Sequence, residues 1–181
     1  MPDQHPNTTG QPVLETERLL IRPLSYHQLC LYIRPDLALE RDLGVKPHPR
    51  TVPDELTEAL EQLILPGVAQ AGDNYLFSTL WTIIDRHEQV MTGDLCFKGP
   101  PGEQGEIEVG YGTYPDFQNK GYMTEALGAV VNWAMHQPGV TAVLAETEKE
   151  NLPSHRTLSK NGFTACREVD QMIWWRLDKA V

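Results

Sequence analysis

The sequence predicts an α+β fold, a mixed and mostly antiparallel sheet with helices on both faces, in a single layered domain. Three observations carry this. Residues 76–84, 90–97 and 106–114 are strand-like runs joined by short polar turns, which makes an antiparallel meander. After Pro115 the apolar period changes to that of a helix, with Met123, Leu127, Val130 and Ala134 on one stripe over residues 122–136. Behind that helix come an apolar strand, a short helix and a last strand pair, so the meander runs into a strand–helix–strand crossover.

In chain order, Leu19-Leu20-Ile21-Arg22-Pro23 is a short strand that proline stops. Residues 25–44 carry helical spacing through Leu29, Ile33, Leu37 and Leu43, interrupted at Pro35. A proline-punctuated loop follows over 46–53. Residues 54–65 form a helix behind Pro53, with Leu56, Leu60 and Leu63 on one face. Pro138-Gly139 ends the long helix, 140–147 is an apolar strand, and 154–161 is a short helix that Asn161-Gly162 closes in a left-handed turn. Residues 164–169 and 172–177 finish as a hairpin. No repeat or linker divides the chain, so the expected organisation is a flexible polar tail over 1–12 and one domain over 13–181.

Composition narrows the function classes. The chain has 181 residues, 40% of them hydrophobic, enough for one real core. A net charge of −10 argues against general nucleic-acid binding, which needs a basic footprint. The start lacks a basic-then-apolar leader and no apolar run approaches the ~20 residues of a membrane span, so a cytoplasmic protein without a membrane partner is expected. The sequon Asn7-Thr8-Thr9 is then idle. Cys30, Cys96 and Cys166 are odd in number and far apart, which reads as buried reduced thiols. The histidines show no ligand spacing; His5, His27, His48 and His87 read as loop or surface residues, and no metal is expected. An acidic chain that holds an anionic cofactor must do so with local amides and a few cations, because its overall field repels the ligand.

The segment from Glu106 to Ala126, EIEVGYGTYPDFQNKGYMTEA, is where such a site can form. A strand ends near Tyr114, a short loop follows, and a helix begins near Gly121. Without a Cβ, Gly121 lets a ligand approach its backbone closely. The free N–H groups of a first helical turn bind anions, and Lys120 adds a cation there. Taken alone, a strand–glycine–helix junction is most often a plain connection.

At these residues the sequence resembles the GNAT acyltransferase superfamily, and within it the ribosomal-protein N-terminal acetyltransferase (RimJ/RimL-like) branch. The family's Gln/Arg-x-x-Gly-x-Gly/Ala pattern reads here Gln118-Asn119-Lys120-Gly121-Tyr122-Met123, with Met123 departing from the last small residue. Leu14-Glu15-Thr16-Glu17-Arg18-Leu19 with Ile21-Arg22-Pro23 looks like the branch's opening, Glu108-Val109-Gly110-Tyr111 like its fourth strand, and Asn151, Ser154 and Lys160-Asn161-Gly162-Phe163 like its closing signature. The resemblance covers nearly the whole chain outside residues 31–72. It implies a GNAT-like sheet with a splayed strand pair, and acetyl-CoA as cosubstrate without a metal. It also implies that the amides of Asn119, Lys120, Gly121, Tyr122 and Met123 take the pyrophosphate, with Gln118 opening the motif. The backbone of Tyr111, Gly112 and Thr113 would pair with the pantetheine arm, which Asn151 would also contact.

The expected reaction is N-acetylation of a primary amine, a protein N-terminus or a small-molecule amine, by direct attack on the thioester. Glu108 is the candidate base, because the strand that carries it is expected to line the acetyl site and the branch often has a glutamate there; Glu106, two residues away, is the reserve. Ser154 is the candidate donor to the leaving thiolate, against the alternative that it only caps a helix. His155 reads as incidental. Of the adjacent Trp174 and Trp175, one packs inward and the other faces the opposite side. A non-catalytic acyl-CoA-binding sensor is the rival expectation, and a homodimer the expected assembly.

Overall fold

Alternation along the strands gives this sheet two apolar faces, and both are covered. The computed structural model describes residues 11–180, with backbone alone at 73 and 74; the tail expected over 1–12 therefore lies, as far as residue 10, outside the described residues. Eight strands, β1 (Leu14–Glu15), β2 (Leu19–Pro23), β3 (Leu80–Asp85), β4 (Val90–Phe97), β5 (Glu106–Thr113), β6 (Ala142–Glu148), β7 (Thr164–Val169) and β8 (Met172–Asp178), form one sheet in the order β1-β2-β3-β4-β5-β6-β8-β7. Only β5 and β6 run parallel; every other neighbouring pair is antiparallel. Ile21, Trp81, Ile83, Leu95, Ile107 and Val109 build one core with α5 (Tyr122–Met135). Leu80, Ile84 and Met91 build a second core on the other face, beneath α1 (Tyr26–Tyr32), α2 (Ala38–Leu43), α3 (Asp54–Ala59) and α4 (Leu65–Ala71).

α5 forms where the 3.6-residue period places it, and it buries Met123, Ala126, Leu127, Val130, Val131 and Ala134. Leu127 is fully buried, a position where truncation to alanine typically costs about 2–5 kcal/mol. Trp133 packs beside this stripe, within 4.8 Å of the Trp81 ring centroid.

The expected α+β order holds, with local corrections. Residues 25–44 give two helices, because Pro35 and the left-handed Leu37 (φ 57°) separate them. The helix expected to stop at Leu65 runs on to Ala71; a π-helical turn at Leu60–Ile64 lies directly before Pro66 and absorbs its missing donor. Leu76 and Phe77, read as strand, belong to the 3₁₀ turn Gly72–Phe77, where the Leu76 carbonyl accepts the Trp81 indole N–H at 2.9 Å. The short β1 was not anticipated. Cys30 and Cys96 are half-buried, but Cys166 is exposed on β7, an edge strand whose residues are nearly all open to solvent. No helix among the described residues is long and apolar enough to cross a membrane.

The feature that positions the site is the parting of β5 from β6. They pair only through Glu106, Ile107 and Glu108 with Ala142, Val143 and Leu144. Beyond that point β5 stays on β4 as far as Thr113, and β6 stays on β8 to Glu148. The edge of β5 over 109–113 is therefore left without a partner strand, so its backbone groups are open to another hydrogen-bonding chain.

Candidate active site

The bend after β5 is built to expose amides. A 3₁₀ turn at Pro115–Phe117 leads to Asn119 (φ 61°) and to Gly121 (φ 78°), which caps α5. Two left-handed residues so close together bring the chain into the helix with its first N–H groups unused. No backbone or side-chain acceptor among the described residues takes the N–H of Lys120, Gly121, Tyr122, Met123 or Thr124. Such a helix start, with its dipole, is an anion site.

These amides open onto a groove of about 550 Å³ between the free edge of β5, the start of α5 and α6 (Leu152–Lys160). Tyr111, Gly112, Thr113, Gln118, Asn119, Gly121, Tyr122, Met123, Asn151 and Ser154 all line it. Of the residues expected to meet the cofactor, only Lys120 stands outside this lining; its ammonium lies 5.2 Å from the Phe117 ring centroid. The groove also holds Arg156 and Lys160, which sequence reasoning missed. Their signal was available: they sit four residues apart on one face of α6, pointing the same way as Pro153 and Thr157.

A second set of missed residues holds the bend in place. The Arg18 guanidinium donates from Nε to Glu125 at 2.7 Å and from Nη1 to the Lys120 carbonyl at 2.9 Å. Thr16 Oγ1 donates to the same Glu125 carboxylate at 2.6 Å. Partial burial pushes the Glu125 carboxyl upward, but these donors outweigh it and hold it below its usual range. The Tyr122 hydroxyl donates to Asp85 at 2.6 Å, which joins the first turn of α5 to the end of β3.

Across the groove, Asn151 is the cap of α6: its Oδ1 accepts the Ser154 N–H at 3.2 Å. The capping role open to Ser154 thus belongs to Asn151, which leaves the Ser154 hydroxyl free of that task. The Tyr111 hydroxyl reaches the Ser154 carbonyl at 3.4 Å. His155 faces away toward the Glu148 carbonyl, 2.9 Å from its Nε2, and packs 5.2 Å from the Trp175 ring.

Glu106 and Glu108 lie on the opposite face of the sheet, because they alternate with the core residues Ile107 and Val109. Glu108 ion-pairs with Lys98, and Glu106 with Arg176 at 2.5 Å. Both line a second cavity, of about 590 Å³, with Lys98, Gln104, Leu144 and Trp174. The two tryptophans divide as alternation requires: Trp174 faces this cavity, while Trp175 is buried and donates from Nε1 to Thr147 at 2.9 Å. Glu108 and Ser154 are therefore not neighbours in one pocket. Glu108 stands at the vertex of the splay on one face, and Ser154 beside the opening on the other.

The chain and its fold match known proteins. The family model described as an acetyltransferase (GNAT) domain matches residues 18–164. The uncharacterized N-acetyltransferase YjdG of Bacillus subtilis (strain 168) is 30% identical over 163 residues, 90% of this chain and 96% of its own length. Among solved structures, the ribosomal-protein-S5-alanine acetyltransferase from Vibrio fischeri matches with a TM-score of 0.69 at 16% identity, covering 93% of this chain and 97% of that one. RimL, a ribosomal L7/L12 alpha-N-protein acetyltransferase in complex with coenzyme A, matches with a TM-score of 0.65 at 15% identity, covering 92% and 98%. At such identities the two structures establish the fold, while the family model and the relative establish the kinship. The chain belongs to the GNAT family of acetyltransferases.

Proposed function

We propose that the protein moves an acetyl group from acetyl-CoA to a primary amine across the splay between β5 and β6. One observation carries this: a run of unpaired amides at a left-handed glycine opens directly beside an unpaired strand edge. A phosphate pair fits the first and an amide-bearing arm fits the second. The N–H groups from Asn119 to Met123 would hold the pyrophosphate, with Lys120, Arg156 and Lys160 compensating charge that the acidic chain otherwise repels. Residues Tyr111–Thr113 would pair with the pantetheine, and the Asn151 side-chain amide would contact it. When bound, acetyl-CoA supplies an activated acyl group as a thioester.

The chain must then provide a proton acceptor. A lysine-like amine costs about 4.6 kcal/mol to deprotonate at pH 7 and an α-amine about 1. Glu108 is the carboxylate nearest the vertex and would take that proton, with Lys98 as the partner it shares or releases. Backbone placement of amine against thioester supplies much of the remaining acceleration. The Ser154 hydroxyl, not engaged in capping α6, would donate to the departing sulfur. The cavity walled by Trp174, Glu106 and Glu108 suits an amine acceptor, and a protein N-terminus is the class that the names of the Vibrio fischeri and RimL neighbours favour.

One observation favours a second reading. Both strand carboxylates are held in ion pairs, as they would be in a sensor that binds acyl-CoA without turnover. Thiol release from acetyl-CoA, screened over N-terminal peptides, polyamines, amino sugars and small drug amines, separates the two. Release with any class supports the enzyme; a cofactor-dependent rise in Tm without release supports the sensor; neither signal removes both.

A further inference from the structure

Beneath the cofactor bend, on the face away from α5, lies a buried carboxylate that the reaction does not use. Asp94 on β4 is 6% exposed and pairs in register with Thr82 of β3 and Gly112 of β5. Its Oδ2 accepts two phenol O–H groups, from Tyr32 and from Tyr114, each at 2.6 Å. Its Oδ1 is buried with no hydrogen-bond partner among the described residues. Burying a carboxylate is costly, and what offsets the cost here is the pair of phenol donors, which would in turn be stranded without it. Such a group persists where it fixes an arrangement rather than where it adds stability.

The two phenols belong to different parts of the site. Tyr32 ends α1 on the acceptor side. Tyr114 is the residue between β5 and the 3₁₀ turn that leads to Gly121. The Tyr32 end is itself clamped: Arg50 ion-pairs with the buried Glu40, donates to the Tyr32 carbonyl at 2.9 Å and lies 4.6 Å from the Tyr32 ring centroid. The same stretch touches the bend again through His48, a half-buried residue of the loop before α3. Its Nε2 is 3.3 Å from Asp116 and its ring 4.9 Å from that of Phe117. Burial and the Asp94 carboxylate push both phenols well above their ordinary range, so each stays a donor.

We infer that Asp94 is a positioning residue for the cofactor bend, a carboxylate through which α1 and the loop after β5 hold one another in register. The inference rests on the acetyl-CoA reading of that bend. The bend's amides are useful only at the right angle, and the Tyr114 hydroxyl, together with the Tyr114 N–H that donates to the Thr92 carbonyl at 2.9 Å, ties the bend to the sheet.

Coenzyme A affinity by calorimetry, with Tm alongside, tests it on the full chain. Tyr114→Phe keeps the ring and removes the donor; its dissociation constant for coenzyme A is expected to rise about tenfold, the usual effect of losing a hydrogen bond to a charged group. Tyr32→Phe, remote from the groove, should raise it by about threefold, and the double variant should fall short of the product of the two, because one carboxylate serves both. Val68→Ala, in the same apolar cluster but outside the network, should lower Tm without changing affinity. Wild-type affinity in Tyr114→Phe, whatever its Tm, would overturn the inference. Absence of coenzyme A binding by the unmodified protein would instead sink the acetyl-CoA reading itself.

Discussion

The two faces that meet at the splay solve their chemistry with different parts of the chain. On the α5 face the donors are backbone amides, freed by the left-handed Asn119 and Gly121 over a stretch of a few residues. On the opposite face the groups are side chains whose state depends on distant segments: Lys98 answers Glu108, and Arg176, seventy positions away, answers Glu106. A site made of backbone is fixed by local conformation and varies little with the side chains around it. A site made of paired carboxylates can be retuned by changing a partner. The proposed division of labour follows: the first face would bind what all members of the family share, and the second would adapt to an acceptor.

The sharpest way to break this comparison is to remove charge without removing shape. Glu108→Gln should lower thiol release at saturating substrates by about 100-fold, the ordinary worth of a general base, and leave coenzyme A affinity unchanged. Glu106→Gln should lower release by less than about threefold, since Glu106 lies two residues farther from the point where β5 and β6 part. Equal losses in the two variants would mean that the face acts as a field and not through one base.

On the other face the test is conformational. Gly121→Val places a β-branched side chain at φ 78°, where its Cβ would also meet Arg18 Nη2 at 3.4 Å. Strain of about 2 kcal/mol predicts a loss of coenzyme A affinity of about 30-fold by calorimetry. Affinity that survives would show that side-chain cations, not amides, carry the phosphates. Ser154→Ala and Asn151→Ala then divide chemistry from capping. The first should cut release about tenfold at constant Tm, and the second should cost about 1 kcal/mol of stability.

The same contrast explains what could be read from the sequence. The mixed sheet, the helix from Tyr122 and the amide-bearing bend follow from apolar period and from one glycine, which are local signals. Tyr111, Gly112, Thr113, Asn151 and Ser154, which also line the groove, came from the resemblance to the family rather than from local signals, and Arg156 and Lys160 were missed. The Arg18–Glu125–Lys120 lock was half legible: Arg18 lay within the stretch that resembled the family, yet nothing local says that it reaches a carbonyl 102 positions away. Asp94, Tyr32 and Tyr114 were illegible, because an aspartate in a strand announces burial only when the covering helices are known. In those helices the interruption at Pro35 was legible, while Pro66 was misjudged, because a π-helical turn lets the helix run through it. The location of Glu108 and Ser154 on opposite faces was likewise invisible until β5 and β6 were seen to part.

The smallest expected effect concerns how the amide face is held, and its sign can be worked out. Folding keeps the Glu125 carboxyl below its ordinary range, because Thr16 and Arg18 donate to it despite partial burial. The unfolded chain therefore binds more protons through the carboxylate range, and stability rises with pH there. The contribution is whole above about pH 5 and fades as pH falls through about 4 toward the lower folded value. Asp85, held low chiefly against its own burial by the Tyr122 hydroxyl, shares this sign, while Asp94, pushed up by burial, has the opposite one; both are retained in a Glu125 variant. Glu125→Gln should cost about 1 kcal/mol at pH 7 by urea denaturation, a modest value because the Arg18 side chain is 43% exposed and screened by solvent. As pH falls through about 4 the gap between the variant and the wild type should shrink, and that between their coenzyme A affinities with it. A gap of constant size from pH 7 to pH 3.5 would mean that Glu125 holds the bend by shape alone, and that the amide face too depends on packing from afar.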